Sequence, residues 1–163
     1  MTRPRPTTRA WCSALCALAF ALPAAAPVGA DPSEDDPQAA ARDPDYAAGK
    51  QAIESKNWPE AARRLLQAAL REPDNADLHN HLGYANRNLK RFDLAFKHYK
   101  RALELSPRHR GAHEYIGEAY LLVGDLASAE RHLAALREIC RLPCEEFSDL
   151  QAAIDTHRSK GLK

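Results

Sequence analysis

The sequence has 163 residues, 45% hydrophobic and 28% charged, an ordinary composition for a globular protein that excludes a chain disordered throughout. Its 23 Lys and Arg residues nearly balance its 22 Asp and Glu residues. This balance argues against a general nucleic-acid binder, which normally has a clear excess of basic residues. Abundant Ala, Leu, Glu, Lys and Arg, with only seven glycines and few β-branched residues, favour helices over sheets. We therefore expect an all-α protein that does not bind nucleic acid.

The first 30 residues have the pattern of a secretory signal peptide. Arg3, Arg5 and Arg9 precede an uncharged apolar run over 11–22, and small residues follow up to Ala30. The run is shorter than the roughly 20 residues that a membrane-spanning helix needs, so we expect no stable membrane span after cleavage. We predict cleavage after Ala30 and a periplasmic or secreted protein; an uncleaved amino-terminal anchor stays the alternative.

An acidic segment over 31–45 follows the predicted signal. It holds six acidic residues, one basic residue and three prolines. Such a composition buries too little apolar surface to fold, so we predict a disordered acidic leader. The predicted mature chain has 20 basic and 22 acidic residues, and its folded domain covers 46–163.

An internal period of 34 residues is the strongest pattern in the chain. The offset relates three glycines and three alanines, which are Gly49, Gly83 and Gly117, and Ala61, Ala95 and Ala129. Small residues allow two helices to cross closely, larger apolar residues fill the space between them, and proline ends the second helix. The period therefore predicts three helical hairpins, over 42–75, 76–109 and 110–143.

The middle unit carries the most complete motif. It has large, glycine, aromatic and alanine residues in a fixed order, at Leu82, Gly83, Phe92, Ala95, Tyr99, Ala102 and Pro107. This pattern resembles the tetratricopeptide repeat. The resemblance implies a right-handed superhelical solenoid of three antiparallel helix hairpins.

A further helix is predicted over about 145–159. Phe147, Leu150 and Ile154 form one apolar stripe, and Glu145 and Glu146 lie where a helix amino terminus favours negative charge. Because the last hairpin of a solenoid otherwise exposes its apolar face, we interpret this segment as a carboxy-terminal capping helix.

The same resemblance implies a non-catalytic module that binds a protein or peptide partner in a concave groove lined by the first helix of each hairpin. The groove residues transferred from the family are Tyr46, Lys50, Glu54, Asn80, His81, Tyr84, Arg87, Asn88, Glu114, Glu118 and Leu121. Among them, Asn80 and Asn88 suit a peptide backbone, Tyr84 suits stacking, and Arg87 suits a partner carboxylate. Each is equally compatible with an ordinary surface residue, and weak self-association through an open solenoid end is a further alternative.

Two cysteines, Cys140 and Cys144, remain after the predicted cleavage. In an oxidising compartment we predict that they form a disulfide at the corner before the capping helix. A redox-active pair that acts on a partner is the alternative function, because a cysteine near a helix amino terminus has a lowered pKa. Two free thiols are the third alternative.

The seven histidines do not indicate a metal site. His79 and His113 are 34 residues apart, as are His98 and His132, so four of them occupy equivalent repeat positions instead of converging. No phosphate-binding loop, nucleophile motif or zinc-protease spacing occurs in the sequence. We therefore expect no metal, no cofactor and no catalytic residue.

Overall fold

The computed structural model describes residues 43–161, which form seven α-helices and no strand. The helices are α1 (Pro44–Glu54), α2 (Trp58–Arg71), α3 (Ala76–Asn88), α4 (Phe92–Leu105), α5 (Arg110–Leu122), α6 (Leu126–Ile139) and α7 (Glu145–Gly161). The predicted signal peptide and most of the predicted leader lie outside the described residues.

Short polar side chains set where most helices begin. Asn57, Asn75 and Asp125 each accept a hydrogen bond from a backbone amide in the first turn of α2, α3 and α6. His109 does the same for α5 through Nδ1. These bonds satisfy amides that have no partner inside the helix, so local sequence fixes the boundaries.

The predicted leader ends too late at residue 45. Asp43 caps α1 by accepting bonds from the Asp45 and Tyr46 amides, and Pro44 is already helical. Asp43 also pairs with Arg71 at 2.7 Å, and Asp45 pairs with Arg64 at 2.8 Å. Residues 43–45 are therefore part of the folded domain, because their carboxylates attach α1 to α2.

The helices pair as α1–α2, α3–α4 and α5–α6, and each pair turns at an equivalent position. Lys56, Lys90 and Gly124 have φ angles of 56°, 59° and 83°, and they are spaced by the 34-residue period. Only at Gly124 does glycine relieve the steric cost of this left-handed conformation. The predicted hairpins are confirmed.

Small residues sit where the helices cross. Ala61, Ala95 and Ala129 are fully buried, and a Cβ added to Gly49 would lie 2.6 Å from Leu65 Cγ. The stacked hairpins form the predicted right-handed superhelical solenoid, so the fold class is confirmed.

Helix α7 closes the carboxy-terminal end by packing on both α5 and α6. Leu150 and Ile154 are fully buried. The Leu150 side chain occupies the space beside Gly117 that a side chain at position 117 would need. The helix extends to Gly161, two residues beyond the predicted end. Among the described helices, none is both long and apolar enough to cross a membrane.

Candidate functional site

The first helices α1, α3 and α5 lie side by side, and the residues predicted for the groove fall on them. These residues differ in exposure. Lys50, Glu54 and Asn88 are exposed, whereas Tyr46, Asn80 and Glu114 are buried at three equivalent repeat positions. The remaining predicted groove residues are partly exposed: His81, Tyr84, Arg87, Glu118 and Leu121. The exposed and partly exposed residues thus supply most of the accessible surface of this face.

Tyr46 is committed to a polar network between α1 and α3. Its hydroxyl lies 3.2 Å from His81 Nδ1, which also donates to the Asp77 carbonyl at 2.7 Å. His109 Nε2 lies 2.9 Å from Asp77 Oδ1, which continues the network to α5. Burial raises the pKa of Tyr46 to about 12 and lowers that of His81. The network holds neighbouring first helices together.

Arg87 occupies the centre of this face. Its guanidinium lies 5.0 Å from the Tyr84 ring centroid and 5.4 Å from the Tyr115 ring centroid, a cation–π arrangement. It also pairs with Glu118 and donates to the Tyr115 carbonyl at 3.4 Å. Because Glu118 already neutralises Arg87, the expected pairing with a partner carboxylate is not what this geometry favours.

Aromatic rings line the face beside Arg87. Trp58 meets Tyr84 edge-on at 5.6 Å, and Tyr84 and Tyr115 are 4.9 Å apart. Asn88 donates to the Tyr84 carbonyl within its own helix, which leaves its side-chain oxygen available. The row offers stacking surface and a hydrogen-bond acceptor to a bound segment.

Two histidine pairs repeat the same hydrogen-bonding arrangement, and sequence reasoning missed them. His79 Nδ1 lies 3.1 Å from His98 Nδ1, and the equivalent atoms of His113 and His132 are 2.9 Å apart. His79 Nε2 lies 2.8 Å from the Pro73 carbonyl oxygen; it therefore donates there, and Nδ1 accepts from His98. The sequence did contain a pattern that could have revealed these pairs, because His79 and His98 are 19 residues apart and so are His113 and His132.

Each pair joins the two helices of its hairpin. Burial and the neighbouring imidazole lower the pKa of His98 and of His132 to about 4. Residues 43–161 contain no group of three or more metal-ligating side chains close enough to hold an ion. The pairs are therefore interpreted as hydrogen-bonded helix contacts.

The two cysteines meet at the corner between α6 and α7. Their Sγ atoms are 2.08 Å apart and their Cα atoms 5.9 Å apart, and the Cα separation is typical of a disulfide. Arg108 and Arg110 line the cleft beside them, and Leu142 between them is 79% exposed. The disulfide stays a prediction for chemical test.

Stacked hairpins with a row of aromatic and polar side chains on their first helices define the class of helical-repeat proteins. Two sequence profiles described as tetratricopeptide repeat match the chain, over residues 46–109 and 88–154. The chain belongs to the tetratricopeptide repeat family, whose members are generally non-catalytic interaction modules.

Among curated proteins, the chain is similar to the human protein O-mannosyl-transferase TMTC3, with 34% identity over 77 residues. The match covers 46% of this chain and 8% of that relative. The similarity therefore concerns one segment and does not extend to the relative as a whole.

Several solved structures share the fold. The TPR2B domain of yeast Sti1, in a complex with pHsp70, has a TM-score of 0.66 at 20% identity, over 71% of this chain and 94% of that chain. SycD of Yersinia enterocolitica, in complex with a YopD peptide, has a TM-score of 0.62 at 17% identity, over 72% and 92%. The first repeat domain of RPAP3, bound to the HSP90 peptide SRMEEVD, has a TM-score of 0.59 at 20% identity, over 70% and 86%. Likeness at these identities shows the fold.

Proposed function

We propose that the protein is an exported, non-catalytic interaction module that binds an extended or helical segment of a partner protein in the groove formed by α1, α3 and α5. The observation that carries this proposal is the row of accessible side chains on those three helices, with Lys50, Tyr84, Asn88 and Glu118 in sequence along it. A row of this kind offers stacking, hydrogen-bonding and charged groups within reach of one bound segment. Solved proteins of the same fold hold peptides, namely SycD and the RPAP3 domain, which supports this use of the groove.

The proposed location is the periplasm or cell envelope. It rests on the predicted signal over 1–30 and on the cysteine pair, since disulfides persist in oxidising compartments. Amino-terminal sequencing of the protein from a periplasmic fraction is expected to begin at Asp31. A chain that retains Met1 in the cytoplasm would contradict this location.

A crosslinked pull-down from envelope extract tests the groove. The test variant combines Lys50→Ala, Tyr84→Ala and Asn88→Ala. A second variant, Asn88→Arg, fills the groove from an exposed position and keeps the ring contacts of Tyr84 with Trp58 and Tyr115. We expect both variants to lose the partner that the unmodified protein captures.

The matched control replaces exposed residues on the second helix of the middle hairpin, with Leu94→Ala, Lys97→Ala and Lys100→Ala. This control has the same number of substitutions and is expected to capture the partner normally. Equal helicity and equal melting temperature of all variants exclude misfolding as the cause. Equal capture by the groove variants and the control would refute groove recognition.

The alternative function is redox chemistry at Cys140 and Cys144 on a partner. Arg108, Arg110 and Arg141 beside the partly exposed pair favour thiolate formation. Glu145 and Glu146 in the first turn of α7 oppose it. Titration in glutathione redox buffers separates the two roles. A structural disulfide resists reduction, and a readily reduced pair would favour the redox function.

A further inference from the structure

Four carboxyl groups from two helices gather at the carboxy-terminal end of the groove. Glu114 and Glu118 come from α5, and Glu146 and Asp149 from α7; we call these four residues the acidic end of the groove. Two of them have a cationic neighbour: Glu118 pairs with Arg87, and Glu146 lies 3.5 Å from Arg110 Nε. The two other carboxyl groups make no ion pair with the described residues.

Glu114 is the most unusual of the four. Its residue is only 9% exposed, and its carboxyl makes no hydrogen bond or ion pair with residues 43–161. Burial, together with Glu118, Asp149 and Glu146, raises its pKa to about 8, and Arg87 opposes this rise. A buried carboxyl without a partner costs stability, and such groups cluster at functional sites.

A second unpartnered acceptor lies on the neighbouring helix. Asn80 occupies the position in α3 that Glu114 occupies in α5, and it is 5% exposed. Its side-chain oxygen is buried and has no hydrogen-bond partner. The Asn80 side-chain nitrogen lies close to Gly111 of α5, 3.2 Å from the position that a Cβ on Gly111 would occupy. Gly111 is about one helical turn before Glu114.

The Asn80 side-chain oxygen and the ionised Glu114 carboxylate are acceptors. Within residues 43–161 the Tyr99 hydroxyl is a further buried polar group without a hydrogen-bond partner, and it lies on the second helix α4. Lysine and arginine side chains are the chemical complement of the two acceptors, because both present donors only and carry a positive charge. A divalent ion fits less well, since within the described part of the chain no three acidic, histidine or cysteine side chains come close enough together to ligate one.

We propose that the acidic end of the groove receives a lysine or arginine side chain of the bound partner segment, with Glu114 as its principal carboxylate. This inference rests on the proposed groove function and specifies the chemistry of the partner. Arg87 is held against Glu118 and the two tyrosine rings, which leaves Glu114 for the incoming cation. The RPAP3 domain's acidic peptide SRMEEVD has the opposite charge, so we expect this groove not to bind a peptide of that type.

Binding of a cation is coupled to loss of the Glu114 proton. The ionised carboxylate forms the pair, so affinity is expected to rise with pH as Glu114 ionises and to level off once the pH exceeds its pKa. The charged groups that face Glu114 are Glu118 on its own helix, Arg87 from α3, and Glu146 and Asp149 from α7. Replacement of Glu114 by glutamine is therefore expected to remove most of the pH dependence.

The test uses two amidated octapeptides of serine and alanine, one with two central lysines and the other with both lysines acetylated. Each is titrated into the isotope-labelled full chain, with amide chemical shifts of α5 and α7 recorded at pH 6.5, 7.5 and 8.5. We expect the lysine peptide to bind and to shift the amides around Glu114, with affinity rising with pH. We expect the acetylated peptide to bind at least tenfold more weakly.

The variant Glu114→Gln keeps the shape of the side chain and removes its charge. Glu138→Gln is the matched control, because Glu138 is exposed on α6 and makes no ion pair with the described residues. We expect about a tenfold loss of affinity for Glu114→Gln and no change for the control. No binding at about 1 mM peptide, equal affinities for the two peptides, or equal losses in the two variants would overturn the inference.

The same variant in the envelope pull-down separates this inference from the proposed function. A partner that the groove variants lose but Glu114→Gln retains would refute the role of Glu114 and leave groove recognition intact. A lysine peptide that binds at Glu114, with partner capture unchanged in all groove variants, would instead refute the proposed function and support the cation site.

Discussion

Gly83→Ala tests whether close crossing of the two helices in the middle hairpin determines stability. A Cβ on Gly83 would lie 2.5 Å from Tyr99 Cδ1 and from Tyr99 Cε1, and 2.9 Å from Cγ. Tyr99 is fully buried in α4, so movement of its ring also disturbs the residues packed around it. The added methyl group must therefore separate α3 from α4 or displace the ring.

Two opposing effects set the magnitude. Alanine stabilises a helix interior by about 1 kcal/mol relative to glycine. Overpacking a filled core costs about 1–3 kcal/mol, and three ring atoms inside the contact limit place this site at the upper end. We expect the free energy of unfolding to fall by about 1–2 kcal/mol, which corresponds to a decrease in Tm of roughly 4–8 °C.

Urea unfolding followed by circular dichroism measures this change. Gly161→Ala is the matched control, because a Cβ at Gly161 meets no atom within 4 Å. The control is expected to leave stability unchanged or slightly increased. If Gly83→Ala stabilised the protein as much as the control does, steric contact with Tyr99 would not be the reason for glycine at this position.

Three further predictions concern titratable groups and the cysteine corner. The folded state raises the pKa of Glu114 from 4.5 to about 8, so the free energy of unfolding falls as pH rises through this window. In urea unfolding, Glu114→Gln is expected to increase this free energy by about 2 kcal/mol at pH 9 and by much less at pH 5; the figure allows for partial solvent access. An equal gain at both pH values would contradict this. The folded state lowers the pKa of His98 to about 4, so stability present above pH 6.5 is lost as pH falls towards 4. His98→Gln should reduce this acid loss by about 1 kcal/mol in denaturation measured at pH 7 and pH 5, and an unchanged pH profile would show that His98 carries no such linkage. Reduction of the predicted Cys140–Cys144 bond should lower stability by about 2 kcal/mol and increase hydrogen exchange mainly in α7. Equal increases in α1 would argue against a local role.

The 34-residue period was sufficient to predict the hairpins because it records a steric requirement at each helix crossing. Gly49 faces Leu65 and Gly83 faces Tyr99, each within its own hairpin. The sequence implies these contacts, because the small residues and the large residues both recur at the 34-residue offset. Gly117 instead meets Leu150 from α7, the closing helix that packs on α5. Periodicity cannot show this last contact, since α7 lies outside the repeat.

The groove was harder to predict, because exposure there depends on contacts between neighbouring first helices. The repeat positions predicted the helix face on which Asn80 and Arg87 lie. They did not predict that Asn80 is buried, or that Arg87 pairs with Glu118, which is 31 residues away in the sequence. The histidine pairs were missed for a related reason. Their sequence spacing was visible, but contact across a hairpin depends on how far each helix is rotated towards the other.

Equivalent repeat positions carry two different kinds of information in this protein. The glycines and alanines stay small in every hairpin, because each packs against another helix where a larger side chain would not fit. The groove position at Lys50 changes to Tyr84 and then to Glu118 at the same 34-residue offset, so its chemistry runs from basic through aromatic to acidic. Since the backbone at these positions is equivalent, packing within the repeat does not require the change. In the proposed groove, this difference between hairpins would distinguish the charge and the direction of a partner segment.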